Sequence, residues 1–232
     1  MKTSVWVGVV VFAWIAALPI HAVTTWKLQT TEPVVALTFD DGPKPDYVVR
    51  LLEILDHYQV KATFFVVGES VLAHPDLILR MAQSGHTLAN HSFSHTNLAL
   101  LSTADVLAQL EKTNFALSLS VPGPVRFFRP PGGNHTHATV SLAEQLGMVT
   151  VMWDVNAQDY TLKSQRLRLD DEPIPSEVVM RILQPVQNGS IILCHSGSET
   201  TLAILPQVIR TLKKRGYRFV TLNEAAAYQW IP

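Results

Sequence analysis

Along this chain two hydrophobic periods take turns. "VVALTF" (34–39) is a continuous apolar run of strand length, the pattern of a strand buried on both faces. "DYVVRLLEILDHYQV" (46–60) then spaces Val48, Leu51, Leu52 and Leu55 so that they share one helical face. The change recurs to the end of the chain. "ATFFVVG" (62–68), "HTLAN" (86–90), "VRFFR" (125–129), "MVTVMW" (148–153), "SIILCH" (190–195) and "YRFVTL" (217–222) read as strands. "PDLILRMAQSG" (75–85), "ADVLAQLEKTNFALS" (104–118), "TVSLAEQLG" (139–147) and "TLAILPQVIRTLKKRG" (201–216) read as helices. Three of these helices stop at a glycine, Gly85, Gly147 and Gly216, where a left-handed backbone costs least. Strands alternating with helices predict a parallel sheet of about seven strands. Periodicity leaves open whether that sheet is doubly wound or closes into a barrel. The polar, proline-containing stretch "KSQRLRLDDEPIPS" (163–176) reads as a long surface loop.

The N-terminus departs from this alternation. "MKTSVWVGVVVFAWIAALPIHA" has one lysine, an apolar run from Val5 to Ile20 and a small residue at Ala22. The run falls short of the roughly 20 residues of a membrane helix and fits a secretory signal peptide over residues 1–22. Ile20 is a poor residue before such a cut, so an uncleaved anchor is the alternative. Either way one domain, residues 23–232, is expected to be exported, as a periplasmic, secreted or envelope-associated monomer. It would touch a membrane only through an uncleaved leader. The apolar fraction of 47% supports a large core, and a net charge of −1 without a basic stripe argues against nucleic acid as a partner. The triplet Lys213-Lys214-Arg215 reads as the charged last turn of a helix. Cys194 is the single cysteine, so no internal disulfide forms; it should point away from His195 into packing.

Parallel α/β folds gather functional residues at the carboxyl ends of their strands. Here those ends carry Asp40 and Asp41, His91 and His95, Arg129, Asp154 and Asn156, and His195. In "HSFSH" (91–95) a single helical turn would put both imidazoles on one side, a pair of nitrogen ligands for a divalent metal. With one carboxylate as third ligand, positions stay open for water and substrate. Adjacent Asp40 and Asp41 on an extended segment point in opposite directions, so one can hold a cation while the other faces elsewhere as a base. Arg129, at the head of "RPPGG" (129–133), can orient a carboxylate through a bidentate contact. His195 is suited to general acid or base work. Trp153 fits either the core or a sugar-binding groove.

Together, "TFDDGP" (38–43), "ATFFVVG" (62–68), "HSFSH" (91–95), "RPPGG" (129–133), "WDVNAQDY" (153–160) and "LCH" (193–195) resemble, in order, the polysaccharide deacetylase family with the NodB homology domain, carbohydrate esterase family 4. The resemblance implies an irregular, partly open (β/α) barrel and metal-dependent N-deacetylation of N-acetylated amino-sugar glycans: peptidoglycan, chitin-like oligomers or an exported polysaccharide. It implies one divalent metal, zinc first, with cobalt or another divalent ion as alternatives, on Asp41, His91 and His95. Asp40 would be the base, Arg129 its orienting partner, and His195 the acid. Leu193 and Trp153 would line the acetyl pocket, and Pro130 and Gly132 the substrate groove, with a backbone N–H near Gly132 facing the oxyanion. Two residues depart from the family pattern. Gly132 stands where an aromatic residue is usual. Asn156 stands at the expected place of the aspartate that charges the acid histidine, which predicts a lowered His195 pKa unless Asp154 or Asp159 substitutes. The alternatives are a small-amide hydrolase or deformylase of the same superfamily, or a catalytically weakened carbohydrate-binding protein.

Overall fold

The computed structural model describes residues 24–162 and 176–231. The leader expected over 1–22 lies outside them, as does the expected surface loop up to residue 175. In chain order the elements are β1 (Thr24–Thr25), β2 (Lys27–Gln29), β3 (Val34–Gly42), α1 (Pro45–His57), β4 (Thr63–Val66), α2 (Gly68–Ala73), α3 (Pro75–Gln83), β5 (Thr87–Asn90) and α4 (Thr103–Ser118). They continue with β6 (Phe127–Phe128), α5 (His137–Gln145), β7 (Val149–Val151), β8 (Val155–Asn156), α6 (Ser176–Leu183), β9 (Ile191–His195), α7 (Glu199–Lys214), β10 (Arg218–Phe219) and β11 (Gln229–Ile231). Every predicted strand and helix is present. The strands that the hydrophobic pattern misses, β1, β2, β8 and β11, are two or three residues long and too short to show a period. Gly85, Gly147 and Gly216 follow α3, α5 and α7 at φ of +82°, +77° and +88°.

Nine strands form one parallel sheet in the order β1-β7-β6-β5-β4-β3-β9-β8, with β10 also on β3; β2 and β11 form a separate antiparallel pair. In this order β7 and β8 stand near opposite margins. Only residues 152–154 join them, a connection that reaches at most about 14 Å when extended. The sheet must therefore curl until its margins approach. The result is the irregular, partly open (β/α) barrel, and the choice that periodicity left open is settled by a three-residue link. No helix among the described residues is long and apolar enough to cross a membrane.

Strand alternation divides the core into two layers. Val35, Leu37, Phe39, Phe64, Val66, Ile192 and Cys194 face outward and pack beneath helical residues such as Leu51, Leu55, Ile182, Leu205 and Ile209. Cys194 therefore points away from His195, as expected. Val34, Ala36, Phe65, Ala89, Phe127, Val151 and Ile191 face the barrel interior. Continuing that inner set by steps of two residues leads to Thr38 and Asp40, His91, Arg129, and Leu193 and His195. The inner apolar layer thus gives way to polar groups at the carboxyl ends of the strands. Phe39 is fully buried and stacks on Phe64 with ring centroids 5.1 Å apart. Phe39→Ala is expected to destabilise the fold by about 3–5 kcal/mol, measured as a lowered urea midpoint with unchanged slope.

Candidate active site

Arg129 leaves the end of β6 and crosses the barrel interior, fully buried. Its Nη1 donates to Asp40 Oδ1 and to Thr38 Oγ1, both at 2.8 Å. Nε donates to the Val151 carbonyl at 2.9 Å and Nη2 to the Met152 carbonyl at 2.8 Å. The ring of Phe65 lies 4.0 Å below the guanidinium carbon. The predicted orientation of a carboxylate by Arg129 is present, but through one hydrogen bond rather than two. Nε and Nη2 point instead to the Val151 and Met152 carbonyls, and Nη1 is shared with Thr38, so Asp40 is not gripped by a parallel fork. Burial lowers the guanidinium pKa and Asp40 opposes that shift, yet arginine starts so high that it stays charged.

The double aspartate does not follow strand alternation. The β3–β4 register shifts between Phe39 and Gly42, and Asp41 adopts a left-handed φ of +70°. Both carboxylates consequently turn toward His91: Asp40 Oδ2 lies 3.7 Å and Asp41 Oδ1 3.4 Å from its Nε2. "HSFSH" is likewise not a helical turn. It is a loop in which Ser92 and His95 take φ of +64° and +56°. The side-chain oxygen of Gln109 on α4 accepts the Phe93 and Ser94 N–H groups, and buried Asn90 accepts the Ser92 N–H through Oδ1. That scaffold brings His95 Nε2 to 2.9 Å from Asp41 Oδ1.

Asp41, His91 and His95 offer three ligand atoms within 4.8 Å of one another. The donor set suits a divalent cation of the zinc type. His91 Nδ1 donates to the Arg129 carbonyl at 2.8 Å, which turns Nε2 toward Asp41. Burial raises the Asp41 pKa, but hydrogen bonds and charge from His91 and His95 outweigh it and hold the carboxyl well below its ordinary range. The hydrogen bond to Asp41 raises His95 against the opposing effect of burial.

On the far side of Asp40, His195 Nδ1 pairs with Asp159 Oδ1 at 2.6 Å. Asp159 Oδ2 also accepts the His195 backbone N–H at 2.9 Å and the Thr201 hydroxyl. The role assigned to Asn156 is therefore corrected: its Oδ1 accepts the Gln158 N–H two residues on and does not hold His195. Asp154 is occupied as well, clasping Ser190 Oγ and the Ile191 N–H. Burial lowers His195, but the Asp159 hydrogen bond and charge, with Asp40 and Asp41 beyond, more than offset it, so the imidazole titrates above its ordinary value. Of the two carboxylates allowed as substitutes for Asn156, Asp159 takes the place, and the His195 pKa is therefore not lowered. Asp159 was visible in the sequence as the next carboxylate after Asn156, whereas Gln109 and Thr201 carried no signal, being ordinary helix residues.

Leu193 is buried and Trp153 half-buried. The Trp153 ring passes close to Gly133, where an added Cβ would come within 2.9 Å of it. Pro130 is buried; Gly132 is exposed, at φ +61°.

A family model described as polysaccharide deacetylase matches residues 27–151. The chain is 32% identical over 208 residues to the peptidoglycan-N-acetylglucosamine deacetylase of Bacillus cereus, covering 88% of this chain and 93% of that one. To the chitooligosaccharide deacetylase of Sinorhizobium fredii it is 33% identical over 208 residues, covering 84% and 92%. The crystal structure of BA3943 from Bacillus anthracis, described as a carbohydrate esterase family 4 pseudoenzyme, superposes with a TM-score of 0.79 at 28% identity, over 88% of this chain and 69% of that one. This chain belongs to the polysaccharide deacetylase family, the NodB-domain carbohydrate esterases.

Asp159→Asn removes the charge that offsets burial at His195. Its imidazole pKa should then fall below the ordinary value of about 6.5, read by NMR titration of the ring, and an unshifted titration would contradict the pairing. Arg129→Met leaves the Asp40 carboxylate buried without its partner and is expected to destabilise by about 3–5 kcal/mol, measured by chemical denaturation.

Proposed function

We propose that this protein hydrolyses acetamido groups of N-acetylated amino-sugar glycans, giving acetate and a free amine. One observation carries the reading: the ligand triad lies beside Asp40, held by Arg129, and Asp40 is paired in register with His195, held by Asp159. The shared fold does not suffice, since a pseudoenzyme has it too. The deacetylase names of the relatives from Bacillus cereus and Sinorhizobium fredii support the same substrate class.

A divalent cation, Zn2+ first, held by Asp41, His91 and His95 would polarise the acetyl carbonyl and acidify water. Asp40 takes the proton from the attacking water, its carboxylate aimed by Arg129. The glycine backbone at Gly132 lets an amide N–H approach the developing oxyanion. Leu193 and Trp153 enclose the acetyl methyl, and Pro130 shapes the groove beside them. His195, held through Nδ1 by Asp159, passes its Nε2 proton to the departing nitrogen as the C–N bond breaks. Because Asp159 keeps His195 protonated to higher pH, the alkaline limb of the rate profile should lie above about 6.5. We further propose that residues 1–22 direct export and that the glycan belongs to the cell envelope.

Acetate release is expected from N-acetylglucosamine oligomers or peptidoglycan fragments, lost with a chelator and restored by zinc. Asp40→Asn should lower the rate by about 10²–10⁴. Acetate release indifferent to both would refute the mechanism. Glycan retention without acetate would make the protein a binding module instead.

A further inference from the structure

Of the three proposed ligands, Asp41 and His95 take a left-handed backbone, at φ of +70° and +56°. Strain of this kind persists only where neighbouring groups over-determine it. His95 lies in a loop whose amides are braced by Asn90 and Gln109. Asp41 lies at the end of β3, and its side-chain contacts run to His91 and His95, the other members of the triad. Its backbone is braced from two other strands.

Two carbonyls bracket Asp41. That of Gly42 accepts the Val67 N–H, just past β4, at 2.9 Å. That of Asp40 accepts twice from Ser196, which follows β9: from the N–H at 2.9 Å and from the hydroxyl at 2.8 Å. The N–H continues the β3–β9 ladder one step past the Asp40–His195 pair, and any residue except proline would supply it. The hydroxyl is what serine adds, and Ser196 is buried. It also fills the inside of the turn: a Cβ on Gly42 would come within 2.5 Å of Ser196 Oγ and 3.3 Å of its Cβ. Gly42 does not take a left-handed φ, so the room left by its missing side chain is used by Ser196. The serine could turn its hydroxyl away from an added methyl only by releasing the Asp40 carbonyl.

We infer that Ser196 is a positioning residue for the proposed metal ligand Asp41. Its hydroxyl pins the Asp40 carbonyl, the pinned carbonyl holds the left-handed turn at Asp41, and the turn aims the carboxylate at His91 and His95. The inference rests on the deacetylase reading and deepens its metal centre. Ser196 touches no reacting group. Without its hydroxyl all three ligands remain in the chain, and the Asp40 carbonyl keeps its N–H partner; what is lost is the pre-set aim of Asp41.

The test measures zinc affinity of the full chain, without glycan, by competition with a chromophoric chelator. Ser196→Ala should weaken zinc binding by about tenfold to a hundredfold, the loss expected when an outer partner of a ligand is removed. At saturating zinc its kcat for acetate release should fall while KM holds, since Ser196 meets no sugar. Gly42→Ala presses on the same hydroxyl from the other side and should also weaken zinc binding. In the double variant that clash is gone, so Gly42→Ala should add little to Ser196→Ala. A lowered urea midpoint for Ser196→Ala with unchanged zinc affinity, or effects of the two substitutions that simply multiply, overturns the inference, while zinc-dependent acetate release by the wild type still upholds the deacetylase reading. Should Ser196→Ala fail to fold, Gly42→Ala decides alone, and unchanged zinc affinity there overturns the inference. A wild type that binds no zinc overturns both.

Discussion

Arg129 is the residue against which the whole site is measured. Its guanidinium donates to Asp40 and Thr38 on β3 and to two carbonyls at the end of β7. Its backbone carbonyl receives the Nδ1 proton of His91, and its N–H donates to the Asn90 carbonyl. The proposed base and one proposed metal ligand are thus located by a single residue. Burying a guanidinium and a carboxylate is expensive, and an apolar pair of similar volume would often hold a core as well. The arrangement is better explained by position than by stability. A flexible or hydrated carboxylate could not be kept at 3.7 Å from the His91 ring, and four directional donors leave the guanidinium little freedom to drift.

A second cost is stored in the backbone. Asp41, Ser92 and His95 all lie in the left-handed region, which for residues with a Cβ costs roughly 1–2 kcal/mol each. Two of the three are proposed ligands. The histidine loop is held by side chains outside it: Gln109 reaches from α4 to two loop amides, and Asn90 spends its amide on Leu110, Asn114 and Ser92. Strain of this kind persists only when the surroundings over-determine it. Here the surroundings are the outer helix layer, which makes α4 part of the site although none of its residues touches the reacting position.

Much of this was legible in the sequence, for definable reasons. Strands and helices are periodic, so they could be read, and glycine stops marked three helix ends. The site residues stood at strand ends because a strand's inward positions become polar where the core ends. What could not be read depended on non-local contacts. Curling of the sheet follows from β7 and β8 lying near opposite margins, which no local period encodes. The convergence of Asp40 and Asp41 follows from a positive φ at Asp41, which reverses the alternation that ordinary strand geometry demands. Place in the motif points to Asn156 rather than Asp159; the two residues between them decide which side chain faces His195, and the carboxylate that does so is also gripped by Thr201 from α7.

The relation between the proposed acid and the proposed base is fixed by the sheet itself. Asp40 and His195 sit on hydrogen-bonded neighbours, β3 and β9, and are paired residue for residue. Adjacent parallel strands are held about 4.8 Å apart, so the spacing of the two groups is set by the sheet and does not depend on a loop closing. Thr38 links the same two strands from inside, accepting from Arg129 and donating to the Ile192 carbonyl. A one-residue slip of β9 would carry His195 to the helix side and Cys194 into the cleft. The proposed proton donor therefore depends on the register of a central strand pair, and the loops around it are left free to settle which glycan approaches.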